Sequence, residues 1–127
     1  MAKYRNKKIE HNGEVFDSVK EWKRFEGLKL LEKAGAIEDL QRQVKFVLIP
    51  AQYEPFKRFS GKTGKRLKDG KKCVEKAVTY YADFVYKKDG ETVVEDVKGY
   101  RRGTAFDVFA IKRKLMLKEH GIKVKEI

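Results

Sequence analysis

Three residues in the second half of the chain have types and spacing suited to metal-assisted chemistry. Asp83 lies inside the run Tyr80-Tyr81-Ala82-Asp83-Phe84-Val85-Tyr86, and Asp96 and Lys98 lie in Val93-Val94-Glu95-Asp96-Val97-Lys98-Gly99. Strand residues two apart face the same way, so Asp96 and Lys98 would share one face. Asp89-Gly90 between the runs is a hairpin signal, which would bring Asp83 on the neighbouring strand within reach of both. Two carboxylates and an ammonium placed there are costly unless they are paired or hold an ion. Oxygen donors suit Mg²⁺ or Mn²⁺, and the backbone carbonyl of Val97 is a candidate further ligand. Glu21 is the candidate for a remaining one. It lies one helical turn from Phe25 and two from Leu28, on a stripe that can face a sheet. It is also the last member of a Ser18-x-x-Glu21 capping box, and both roles stay open.

The elements that must position these residues can be read along the chain. Met1 to Asn12 is a polar, basic arm expected to be loosely ordered, followed by an Asn12-Gly13 turn signal. A helix begins at the capping box, with Phe16 just outside it and Trp22, Phe25, Leu28 and Leu31 recurring every third position. Gly35 ends it. Ile37 to Leu40 reads as a connector, and Gln43 to Ile49 as a strand with Val44, Phe46 and Leu48 on one face, stopped by Pro50. Ala77 to Tyr86 and Glu91 to Lys98 form the hairpin that carries the acids. Gly99 to Gly103 is a short basic loop. Thr104 caps a second helix running to about His120, with Phe106, Phe109, Ala110 and Leu117 inward and Gly121 at its end. Ile122 to Ile127 is a final strand. The order α-β-β-β-α-β predicts one α/β or α+β domain over 1–127, with helices packed on a small mixed sheet.

The 127 residues carry a formal charge of +12, which points to a polyanion partner. Residues 51–76 hold nine cations, Lys57, Arg58, Lys62, Lys65, Arg66, Lys68, Lys71, Lys72 and Lys76, against Glu54, Asp69 and Glu75. That is half of the excess. It reads as a flexible basic loop that gains order on a phosphate backbone, the alternative being a solvated linker or a polar hairpin. No apolar run is long enough for a membrane span, and the basic start has no apolar stretch of the signal-peptide kind after it, so a cytoplasmic protein is expected. Cys73 has no second cysteine to pair with and no zinc-site spacing. His11 falls in the arm, and His120 reads as a cap that compensates the helix dipole. No G-x-S-x-G nucleophile motif is present, and Gly61-Lys62-Thr63-Gly64-Lys65 has the wrong spacing for a phosphate-cradling loop.

Asp, then D-x-K-G on a second strand, within an α-β-β-β-α-β order, resembles the PD-(D/E)XK nuclease superfamily and its restriction-endonuclease-like core. Phe16-Asp17-Ser18-Val19-Lys20-Glu21, Tyr80 to Phe84 and Asp96-Val97-Lys98-Gly99 are similar to motifs of small phage endonucleases, including Holliday-junction resolvases of the endonuclease I type. The resemblance runs from Phe16 to the final strand. Ala82 replaces the superfamily's proline, and Asp96 stands where many members have Glu. The resemblance implies that Glu21, Asp83 and Asp96 bind metal, that Lys98 orients or activates the attacking water, and that Gln43 is an accessory residue.

The expectation is then a metal-dependent deoxyribonuclease, phage-encoded if the resemblance holds, which would place it in the host cell cytoplasm. Tyr100, Arg101, Arg102 and the 51–76 segment would hold the DNA backbone, and phosphate contacts position without reading sequence. No base-reading helix is visible, so structure-selective cutting of branched DNA is expected. A junction resolvase should be a symmetric homodimer, whereas a flap or single-strand nuclease can be monomeric. The alternative from another class is a non-catalytic basic module that binds nucleic acid.

Overall fold

The structure, a computed structural model, describes residues 8–99 and 101–127. It opens with a small hairpin of β1 (Ile9–His11) and β2 (Glu14–Phe16). Asn12 and Gly13 both take positive φ, as a two-residue turn matched to the strand twist requires. The expected loose arm is thus ordered from Ile9, and the His11 ring lies against Trp22 with centroids 5.2 Å apart. Residues 1–7 of that arm lie outside the described residues.

Helix α1 (Val19–Lys33) starts as the capping box predicts. Ser18 is the N-cap, and its hydroxyl accepts from the Glu21 N–H. Glu21, Phe25 and Leu28 are its buried residues, whereas Leu31 is exposed. Strand β3 (Glu38–Ile49) absorbs most of the expected connector. Next come β4 (Gln52–Phe59), β5 (Arg66–Glu75), β6 (Val78–Lys88) and β7 (Glu91–Asp96). Helix α2 (Thr104–His120) and the short β8 (Lys125–Glu126) complete the chain. Thr104 is the first residue of α2 rather than its cap. The cap is Gly103, whose backbone (φ 96°, ψ 176°) is open almost only to glycine. Met116, not Leu117, turns inward.

Four strands form the central mixed sheet, in the order β3-β6-β7-β8. β6 is antiparallel to both β3 and β7, while β8 runs parallel to β7. The two helices flank this sheet, and the fold is α+β. The core has two parts. Phe16, Phe25, Leu28, Ile37, Phe84 and Tyr86 form one with α1. Leu48, Tyr80, Ala82, Val94, Phe109, Met116 and Val124 form the other with α2. β6 contributes to both, which makes it the structural centre. Each fully buried large side chain here, Phe84 or Leu28 for example, contributes about 1.5–3 kcal/mol.

Residues 51–76 correct the sequence expectation most. They are the hairpin that stood as the alternative, not a flexible loop: β4 and β5 pair antiparallel as a separate two-stranded ribbon. The segment's Tyr53, Phe56 and Phe59 stand three apart, so its apolar residues carry no period-two strand signal. Cys73, expected in or near a loop, sits exposed on β5.

Candidate functional site

The candidate site is a cleft of about 430 Å³ between the start of α1, the middle of β3 and β6, the end of β7 and the first turns of α2. Glu21, Gln43, Asp83, Asp96, Val97 and Lys98 all line it, so the structure gathers these sequence candidates around one space. Strand β7 stops at Asp96, and Lys98 lies just beyond. The chain there still runs along β8: Ile127 N–H donates to the Asp96 carbonyl at 2.9 Å, and Lys98 N–H to the Ile127 carbonyl at 3.1 Å.

Asp83 and Asp96 form the chemical centre. One Asp83 oxygen accepts from the Val97 N–H at 2.8 Å and the other from the Gln43 amide at 3.1 Å. Burial, and next the nearby Asp96 charge, push the Asp83 carboxyl up to about 7. Asp96 is 4 % exposed. Its Oδ1 accepts from the Tyr80 hydroxyl at 3.0 Å. Its Oδ2 lies 2.5 Å from the Lys98 ammonium but off the hydrogen-bond direction, and is left buried with no hydrogen-bond partner. Lys98 is held from its other side by the Phe109 ring, 3.8 Å from the ammonium to the ring centroid. The Lys98 carbonyl accepts from Lys20 of α1 at 2.8 Å. Burial, followed by the charge of Asp96, also drives the Tyr80 hydroxyl far above its ordinary range, so it remains a donor.

Glu21 serves the helix start and the cleft together. One oxygen accepts from the Asp17 N–H at 3.1 Å; the other accepts from Gln43 Nε2 at 3.2 Å. Burial raises its carboxyl above the usual range. The Gln43 amide therefore bridges Glu21 and Asp83. Its backbone has φ +50°, a left-handed value inside a strand, which is strained for a residue with a Cβ. The neighbouring Arg42 lies over Phe16, 3.9 Å from the ring centroid, and 3.7 Å from Glu21.

Asp83 and Asp96 fit a hard divalent cation in donor type, although the Asp96 Oδ2 is engaged by the Lys98 ammonium as an ion pair. Among the described residues, however, no three His, Cys, Asp or Glu side chains stand close enough to hold an ion together. The expected set of three carboxylates is a pair, with Glu21 one bridging amide away.

The remaining candidates are dispersed. Lys57, Arg58, Lys62, Lys65, Arg66, Lys68, Lys71 and Lys72 belong to the β4–β5 ribbon. Arg101 is exposed, 3.7 Å from Glu126, and Arg102 is exposed beside it. Tyr100 lies outside the described residues. His120, in the last turn of α2, ties the helix end to β3, its ring N–H donating to the Val47 carbonyl at 2.8 Å, whereas the C-cap itself is Gly121.

Sequence reasoning missed the group that anchors α1 to the sheet. Arg24 donates two hydrogen bonds to Glu95, at 2.8 and 2.6 Å, and the Tyr86 hydroxyl donates a further short one. Arg24 lies three residues after Glu21, on a neighbouring part of the helix surface, but nothing local assigns it to Glu95.

These features define an α+β domain with a carboxylate-and-lysine cleft at the end of its central hairpin. A family model described as "Protein of unknown function (DUF1064)" matches residues 1–126, and the chain belongs to that family. No curated protein and no solved structure gives a significant match.

Proposed function

We propose that this protein is a metal-dependent endonuclease that hydrolyses DNA phosphodiester bonds, acting by structure on branched DNA in phage DNA recombination or processing. The observation that carries the reading is the Asp83–Asp96–Lys98 cluster: a half-buried and a buried carboxylate, with an ammonium ion-paired to the buried one, in an open cleft. Such a group is costly to fold around and is better explained by an ion and an anionic substrate than by stability. Asp83, Asp96 and the Val97 carbonyl would hold Mg²⁺ or Mn²⁺, which when bound supplies Lewis acidity at a phosphate and a more acidic water. Tyr80 and Val97 N–H orient the two carboxylates. Lys98, clamped by Asp96 and Phe109, places positive charge where the scissile phosphate would lie. Gln43 ties Glu21 to Asp83, so Glu21 acts through it or, with the amide turned aside, as a further ligand. The net charge of +12 supports a polyanionic substrate. No helix among the described residues is long and apolar enough to cross a membrane. The cytoplasm, the host's if the protein is phage-encoded, is the proposed place of action.

The bridging of Glu21 and Asp83 by one amide also suits a second reading, a basic binding module without catalysis. The test is a labelled four-way junction, a flap and a linear duplex, each incubated with the protein in Mg²⁺, Mn²⁺ or EDTA. Cutting that needs metal, prefers a branched substrate and is lost in Asp83→Ala and Asp96→Ala is expected. Binding without cutting under either metal overturns the enzyme and leaves the module. Junction resolution further requires two sites on one symmetric dimer, which sedimentation will show.

A further inference from the structure

The β4–β5 ribbon uses its residues in a way the central domain does not need. From Gln52 to Ala77 every residue is exposed except Ser60 and Gly70, which are half-buried. Neither face of the ribbon packs on the core, although it carries Tyr53, Phe56, Phe59, Leu67 and Val74, at 41–59 % exposure. An isolated two-stranded ribbon is marginal in water, and an exposed apolar surface of this kind marks a docking site.

Charge selects the occupant. Residues 52–75 hold eight cations against three carboxylates, one of them, Asp69, already paired with Arg66 at 2.7 Å. Two copies of so basic a ribbon repel each other, whereas a polyanion neutralises it. The register then interleaves aromatic and cationic side chains on both faces. Phe59 pairs with Arg66, and Tyr53, Pro55 and Lys57 alternate onto the same face, with Lys71 opposite Pro55. The other face carries Phe56 and Arg58, with Lys72 opposite Glu54. The Phe56 ring lies against Gly70: a Cβ there would be 2.5 Å from it, so glycine is what lets the aromatic approach the backbone. A duplex supplies phosphates but keeps its base faces stacked on each other. Aromatic platforms between cations gain their full contact only from unpaired bases.

We infer that the β4–β5 ribbon is a binding element for single-stranded nucleic acid, in which bases stack on Tyr53 and Phe59 of one face while the interleaved lysines and arginines take the phosphates. This rests on the nucleic-acid reading above and sharpens it, since the preferred branched substrate becomes one with an unpaired arm, a flap or splayed fork, rather than a fully paired junction. The ribbon contains none of the cleft residues, so its grip does not require the metal.

The experiment is fluorescence anisotropy of the full chain in EDTA with a labelled single strand and the same sequence as duplex, with sedimentation of the free protein alongside. The parent should bind the single strand more tightly. The Tyr53→Ala/Phe59→Ala double variant, which spares the Phe56–Gly70 contact, should bind it at least tenfold more weakly. Tyr53→Phe/Phe59→Tyr should restore the affinity, which a merely misfolded ribbon would not do. Lys57→Ala/Lys71→Ala should flatten the salt dependence. Equal affinity for duplex and single strand, or an unchanged double variant, overturns the proposal. A parent dimer that the double variant dissociates overturns it in favour of an interface between copies. Cutting that persists while strand preference is absent removes the ribbon's role alone, whereas strand binding without cutting removes only the enzyme.

Discussion

Glu95 and Asp96 are neighbours in sequence, both buried, and their environments are opposite in character. Glu95 is enclosed by a bidentate Arg24 and the Tyr86 hydroxyl. Burial alone would raise its carboxyl, but the hydrogen bonds from Arg24 and Tyr86 outweigh that and hold it below the usual range. Tyr86 is correspondingly pushed up to about 12, by burial first and then by its bond to Glu95. Asp96 has one oxygen held only by the Lys98 ion pair and lies near a second carboxylate, Asp83, whose proton is held to about 7. A carboxylate whose partners are complete anchors one element to another. A pair whose partners are incomplete leaves room for an ion or a substrate. The difference arises because successive strand residues point to opposite faces: one reaches α1 and the other the cleft.

Four predictions break or sharpen that contrast. The largest effect falls on activity: Asp96→Asn should lower metal-dependent cutting by about a thousandfold or more, with the fold retained by circular dichroism. Glu95→Gln should do the reverse. It leaves Arg24 without its carboxylate and should cost about 2–3 kcal/mol in urea unfolding, somewhat below a fully buried pair because Arg24 is 30 % exposed. Any loss of cutting should follow only from lost fold.

The pH dependence separates the two groups by sign. Asp83 has a raised pKa, so the native state keeps a proton that the unfolded chain has released above its ordinary 3.8. Its contribution is full below 3.8 and is lost as pH rises through about 7. Without metal, Asp83→Asn should therefore gain stability relative to the parent between pH 5 and 8, by about 1–3 kcal/mol. Glu95 has a lowered pKa. Its contribution is present above the ordinary 4.5 and is lost as pH falls through its folded value, so Glu95→Gln should converge on the parent in acid. The smallest effect belongs to His120→Ala, which removes the bond to Val47 and should cost about 0.5–1.5 kcal/mol, with cutting unchanged.

The central α-β-β-β-α-β order was legible in the sequence because its signals are local. Ser18 and Glu21 mark a helix start, Asp89-Gly90 marks the turn of the central hairpin, and Gly121 marks a helix end. The site candidates were legible because the same turn fixes which acids approach. The β4–β5 ribbon was legible only as an alternative, since its lysines dominate composition and its aromatics lack a period-two pattern. The roles of Glu95 and Arg24 were hidden for a related reason. Their bond spans 71 positions, and nothing local says which of two adjacent acids turns toward α1. Gln43 shows the same limit, because no local signal marks its left-handed backbone within a strand.

The proposed metal site is the Asp83–Asp96 pair and not the Glu95 group. Calorimetric titration of Mn²⁺ into the parent, Asp83→Asn and Glu95→Gln tests it most directly. The account predicts binding by the parent and by folded Glu95→Gln, and none by Asp83→Asn. A parent that takes up no Mn²⁺, or an Asp83→Asn variant that binds as well as the parent, would contradict it.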